Sequence, residues 1–169
     1  NINLKKWNTS FTGSENLFED YDVGEEIDHL DGQTIEESEH QMATRLYQNN
    51  ARVHFNQHVE KDGRFGKRII YGGYIISLAR AISCNGLSNT IKLAAIHSGK
   101  HSSPTFSGDT IYAWSKILEK ENYNNDVGIM RIRTLASKNC NKITFPDEKS
   151  LTENIVLDLN YSVFIPKRI

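Results

Sequence analysis

His54 and His58 lie in the amide-rich stretch NNARVHFNQH (49–58), and Gly72-Gly73 opens the most apolar run of the chain, IIYGGYIISLARAI (69–82). A histidine where the chain leaves regular structure can be partly exposed and can titrate near neutrality, which suits general acid/base work. The alternative is a loop histidine bonded to backbone. Two glycines at a helix start expose amides that have no intrahelical partner and carry the positive end of the dipole. Without side chains, an oxygen bearing developing negative charge can approach them closely. The alternative there is an ordinary turn glycine beside an N-cap glycine.

Other chemistries find less support. HFNQH (54–58) and HSGKH (97–101) each space two histidines four apart. Neither contains the glutamate of a helical zinc motif, and HSGKH falls at a strand end, so no metal is expected. There is no nucleophile elbow, P-loop or G-x-G-x-x-G. Cys84 falls in the apolar run and is expected to be buried and inert. The basic turn RFGKR, with Arg64, Lys67 and Arg68, is either a solvated turn or a contact for phosphates or an acidic acyl group.

These residues must be positioned by elements the pattern makes visible. Residues 1–16 read as an irregular arm, and 17–169 as a single domain. Thr34 and Glu37 have capping-box spacing, and Ile35, Met42, Ala43 and Leu46 continue at helical spacing, predicting a helix from Thr34 to about Gln48. Residues 49–71 read as a long ordered loop with one helical turn around Asn56–Glu60. The second helix runs from Gly72 to a stop at Asn85-Gly86 and is apolar around most of its girth. Four strands follow, over 91–99, 110–118, 127–136 and 155–165. The last alternates most clearly, with Ile155, Leu157, Leu159, Tyr161, Val163 and Ile165 on one face. Residues 137–153 read as a long hairpin loop. Helices ahead of an antiparallel run predict an α+β fold, with the sheet folded around the second helix.

The whole-chain properties set the remaining bounds. The 169 residues suffice for one real core. Hydrophobic residues make up 38% and the net charge is −1, so neither nucleic acid nor an anionic membrane is an expected partner. No apolar stretch has the length of a membrane span. Two cysteines do not make a disulfide framework, and NINLKKWNTS has no apolar h-region, so the expected setting is cytoplasmic.

In order and spacing, four segments resemble the MaoC-like, R-specific enoyl-CoA hydratase group of hot-dog proteins: FEDYDVGEEI, TIEESEH, IIYGGYIISLA and SSPTFSGDTIYAW. The resemblance covers residues 18–118. It implies a long central helix wrapped by a curved antiparallel sheet, usually in a homodimer. In that group a loop written roughly G-D-x-N-P-x-H carries an acidic residue five positions before the histidine. The histidine here is His54, and Asn49 stands at the acidic position; Tyr71-Gly72 replaces a histidine-glycine pair. Asn49 is thereby expected to orient water while His54 moves the proton, with Gly72, Gly73 and Tyr71 at the thioester oxygen. The texture ARVHFNQH…GRFGKRIIYGG is most similar to the mesaconyl-CoA hydratase (β-methylmalyl-CoA dehydratase) branch. Its short, branched, acidic acyl groups suit contacts from Arg64, Lys67, Arg68, Lys100 or His101. No cofactor is implied beyond the coenzyme A of the substrate. An amide at position 49 cannot take a proton near neutrality. A thioester-binding protein without lyase activity, or a thioesterase, therefore stays open beside the hydratase.

Overall fold

The computed structural model describes residues 2, 4–142, 145 and 153–168. Short strands β1 (Glu26–Asp28) and β2 (Gln33–Thr34) precede helix α1 (Glu37–Leu46). A one-turn helix α2 (Gln57–Glu60) interrupts the loop, and α3 (Gly72–Ile82) and α4 (Cys84–Leu87) follow. The chain then forms β3 (Lys92–His101), β4 (Thr110–Asn122), β5 (Val127–Lys138) and β6 (Ile155–Pro166). All pairings are antiparallel, in the order β1-β4-β5-β6-β3, with β2 also on β4. The expected hairpin loop at 137–153 falls partly outside the described residues.

The alternation of β6 does what its pattern requires. Leu157, Leu159, Tyr161, Val163 and Ile165 join Ile75, Leu78 and Ala79 of α3 in one core with Ile117, Met130 and Ile132. The helix thus lies across the sheet, as the α+β reading expects. It ends at Ile82, three residues before the expected stop; the next turn, α4, carries the break, where Asn85 (ψ 102°) leaves helical geometry and Gly86 takes φ 100°. Buried His29 holds that break: its Nδ1–H donates to the Asn85 carbonyl at 2.5 Å, and Asn85 Nδ2 donates to the His29 carbonyl at 3.0 Å.

Three local expectations are corrected. Thr34 does not cap a helix. It lies in β2, its hydroxyl bonded to that of Thr110 at 2.9 Å, and α1 starts at Glu37 and ends at Leu46. Sheet pairing outcompetes the local cap. Met42 and Leu46 are 60% and 71% exposed, while His40 and Thr44 are buried. The inward face of α1 is polar because it meets loop backbone that needs hydrogen-bond partners. Finally, α3 is not buried all round: Ile75, Leu78 and Ala79 are buried, but Ser77 and Ala81 are exposed, because the sheet covers one side; Cys84, expected to be buried, is exposed at the start of α4.

Asn89 anchors the N-terminal arm. It is fully buried; its Nδ2 donates to the carbonyls of Ser14 and Asn16, and its Oδ1 accepts from Trp7 Nε1 and Thr12 Oγ1. Asn89→Ala strands these groups, so a loss of about 2–4 kcal/mol is expected in denaturant titration, with faster proteolysis of the arm.

Candidate active site

The loop after α1 is built to deliver His54. Asn49 makes an Asx turn, its Oδ1 accepting the Ala51 N–H at 2.8 Å. A 3-10 turn at Arg52–His54 follows, and Asn56 caps α2 through Val59 N–H at 3.2 Å. The chain then returns alongside itself, Ile69 N–H donating to Val53 O and Ile70 N–H to Thr105 O. His54 Nδ1 lies 3.0 Å from the Ile69 carbonyl. A carbonyl only accepts, so Nδ1 carries the proton and the neutral ring keeps its lone pair on Nε2.

The second component is the head of α3. Tyr71 is its N-cap, and the Tyr71 carbonyl accepts from Tyr74 and Ile75. That leaves the Gly72 and Gly73 amides outside the helix's own bonding. The Tyr71 ring lies over Gly73, where an added Cβ would stand 2.5 Å from it, and its centroid is 5.7 Å from that of His54. His101, at the end of β3, lies over Gly72: an added Cβ would stand 2.7 Å from its Nε2.

His54, Gly72 and His101 line one cavity of about 390 Å³. Ile69, Ile70, Ile75, Pro104 and Val156 supply apolar wall, and Ser102, Ser103 and Thr105 supply hydroxyls. His101 is exposed at the strand end, but its ring is partly desolvated, which lowers its pKa and favours the neutral form. The arrangement offers a base on one side and the Gly72 amide at a helix head in a small, mostly apolar chamber; Gly73 and Tyr71 do not line it.

The other sequence candidates lie elsewhere. Asn49 does not line the cavity, and its carboxamide oxygen is engaged in the turn. Arg68 is committed to the loop: it ion-pairs with Glu37, and its Nη1 donates to the Phe55 carbonyl at 3.2 Å. Arg64 stacks on Phe65, and the Lys67 ammonium sits 4.3 Å from the centre of the Phe106 ring. Both are exposed, as is Lys100 on β3. Among the described residues no cluster of three or more His, Cys, Asp or Glu could hold a metal.

Sequence reasoning missed His40 and Gln41. His40 is fully buried, and its Nε2 accepts the Tyr71 N–H at 3.0 Å. Gln41 Nε2 donates to the His54 carbonyl at 2.7 Å. The available signal was the pair His40 and Thr44, one turn apart on a helix whose apolar residues do not form a clean stripe. Burial, with the nearby His54 and Arg68 charges, pulls the His40 pKa down to about 4. A folded-state value below the unfolded one means that the unfolded chain binds the proton first. The resulting stability is complete above about pH 6.5 and is lost as pH falls from there to about 4. A loss on the order of 2–3 kcal/mol across that window is expected from this group. His40→Gln should flatten that part of the pH–stability curve, as measured by chemical denaturation.

No family model matches the chain. Individual proteins do match. The chain is 54% identical over 172 residues to the β-methylmalyl-CoA dehydratase of Chloroflexus aurantiacus, covering 99% of this chain and 49% of that protein. It is 42% identical over 169 residues to the mesaconyl-CoA hydratase of Cereibacter sphaeroides, covering 98% and 48%. A crystal structure of a MaoC domain protein from Chloroflexus aurantiacus superposes with a TM-score of 0.93 at 53% identity, over 99% of this chain and 49% of that one. The chain has the hot-dog fold of these MaoC-like proteins. The hot-dog unit spans about half the length of the curated relatives it matches. Among its described residues no helix is long and apolar enough to cross a membrane.

Proposed function

We propose that this MaoC-like unit adds or removes water across the α,β bond of a short, branched or acidic enoyl-CoA thioester. The observation that carries the reading is the meeting of His54 and the Gly72 end of α3 in one cavity. In the hydration direction, His54 Nε2 takes a proton from water as the oxygen bonds to the β-carbon. The π electrons move toward the thioester oxygen, whose growing charge is stabilised by the Gly72 amide at the positive end of α3. The imidazolium then returns its proton to the α-carbon, so the ring ends the cycle neutral. Asn49 shapes the loop that presents His54, and Tyr71 packs between the base and the helix head. No redox or metal cofactor enters this balance.

The acyl class follows from the names of the two relatives and from a chamber sized for a short chain. Arg64, Lys67 and Lys100 are exposed cations for the phosphates or a distal carboxylate. A second hot-dog unit completes the sheet. Every residue of β3 is exposed, including Leu93 at 40% and Ile96 at 56%, on an edge strand bonded to β6 alone among the described residues. Such an edge is usually covered. A second copy in a homodimer, or a further unit of a longer chain, fills that place. Cys84 and Cys140 are both free thiols, which supports a cytoplasmic setting.

Among the described residues the cavity wall contains no carboxylate, which favours a thioester-binding protein as the second reading. Assays with crotonyl-CoA and mesaconyl-CoA separate the two. Gain or loss of enoyl absorbance supports the hydro-lyase. Saturable binding with no absorbance change supports the binding protein, and release of free thiol points to a thioesterase.

A further inference from the structure

We propose that His40 and Gln41 are positioning residues through which α1 sets the distance between the two halves of the site. His40 holds the Ile70–Tyr71 peptide, immediately before the one that carries the Gly72 amide, and Gln41 holds the backbone of His54. This inference rests on the hydration reading above.

Tyr71 is held on both sides. Its N–H donates to His40 Nε2 at 3.0 Å, and its carbonyl accepts the N–H groups of Tyr74 and Ile75 at 3.0 and 3.4 Å. The Tyr71–Gly72 peptide is planar and trans, so the Gly72 N–H points opposite to the Tyr71 carbonyl, outward from the helix head. With both flanks of Tyr71 held, the direction of that amide is set. His54 is held in the same way, by Gln41 at its carbonyl (2.7 Å) and by the Ile69 carbonyl at its ring (3.0 Å).

Consecutive positions on a helix diverge by about 100°. His40 and Gln41 can therefore reach two separate segments from a single turn of α1. One rigid element then spans a site whose halves sit on a loop and a helix head. His40 remains neutral well below pH 7, so Nε2 stays an acceptor. A side chain that only filled space would need neither nitrogen.

Displacing a reacting group by about 1 Å costs about 100-fold in rate. His40→Met keeps the bulk and removes the acceptor. It is expected to lower kcat about 30- to 100-fold with KM within about threefold of wild type. His40→Gln, whose Oε1 can accept the Tyr71 N–H, is expected to recover kcat to within about fivefold. A second readout needs no turnover: the affinity for a saturated acyl-CoA thioester is compared with that for the thioether analogue, which has no carbonyl. His40→Met should erase the preference for the thioester and leave the thioether unaffected.

Unchanged kcat and unchanged preference in a folded His40→Met protein overturn the proposal, as does an equal loss for both ligands. A wild-type protein that hydrates no enoyl-CoA, while His40→Met still loses the thioester preference, sinks the hydratase reading and leaves the positioning role standing. If His40→Met does not fold, Gln41→Met carries the test. A kcat loss of at least about tenfold at constant KM supports the proposal, and wild-type kcat overturns it.

Discussion

His54→Gln is expected to lower enoyl-CoA hydration by about 10²–10⁴-fold, the range that a positioned general base supplies. The substitution isolates proton transfer. A glutamine amide can still donate to the Ile69 carbonyl that His54 Nδ1–H now serves at 3.0 Å, so the loop keeps its return contact. What disappears is the basic Nε2 lone pair. Thermal unfolding should shift little, because the ring is only half-buried and the backbone contact from Gln41 to position 54 is unaffected. Thioester affinity should also hold, since the amides of α3 remain. Retention of more than about a tenth of the wild-type rate by folded His54→Gln would remove the base from the mechanism.

Gly72→Ala is the second large effect, and it separates activity from stability. Gly72 does not have positive φ, and alanine is the better helix former, so the backbone accepts the change. The new Cβ would stand 2.7 Å from His101 Nε2 and 3.0 Å from its Cε1. Those atoms end a side chain on an exposed edge strand and can swing away, so a stability change under about 1 kcal/mol is expected. The rate should fall about 10²–10³-fold, the cost of losing an oxyanion donor, because the methyl group and the displaced ring occupy the approach to the amide. Adding His101→Ala should restore part of the rate, since the two residues share one space and their effects will not add. Steady-state kinetics on the single and double variants, with melting curves alongside, provides the measurement.

Much of this protein was legible without coordinates. Strand β6 alternates through its middle, from Leu157 to Val163, and a face of six apolar side chains has one economical place to go. The break at Asn85-Gly86, just beyond α3, depends on residues that leave helical geometry at little cost. The pairing of His54 with Gly72 could also be named, because a loop histidine and a glycine helix head each announce a local backbone state.

The sequence by itself determined where the four long strands lie, where the central helix begins, and that a base and bare amides were available. Only the tertiary structure decided which polar atoms meet. Thr34 had a good helix cap within reach and took a strand partner, Thr110, instead. Arg68 had the charge for a ligand and was used on Glu37 and the Phe55 carbonyl. His40 looked like one more polar helix residue until its partner, Tyr71, proved to lie across the fold. Hydrophobic burial is non-directional and additive along the chain, so its pattern can be read locally. A hydrogen bond needs one donor and one acceptor at a set distance, and when they come from distant segments no local window contains both.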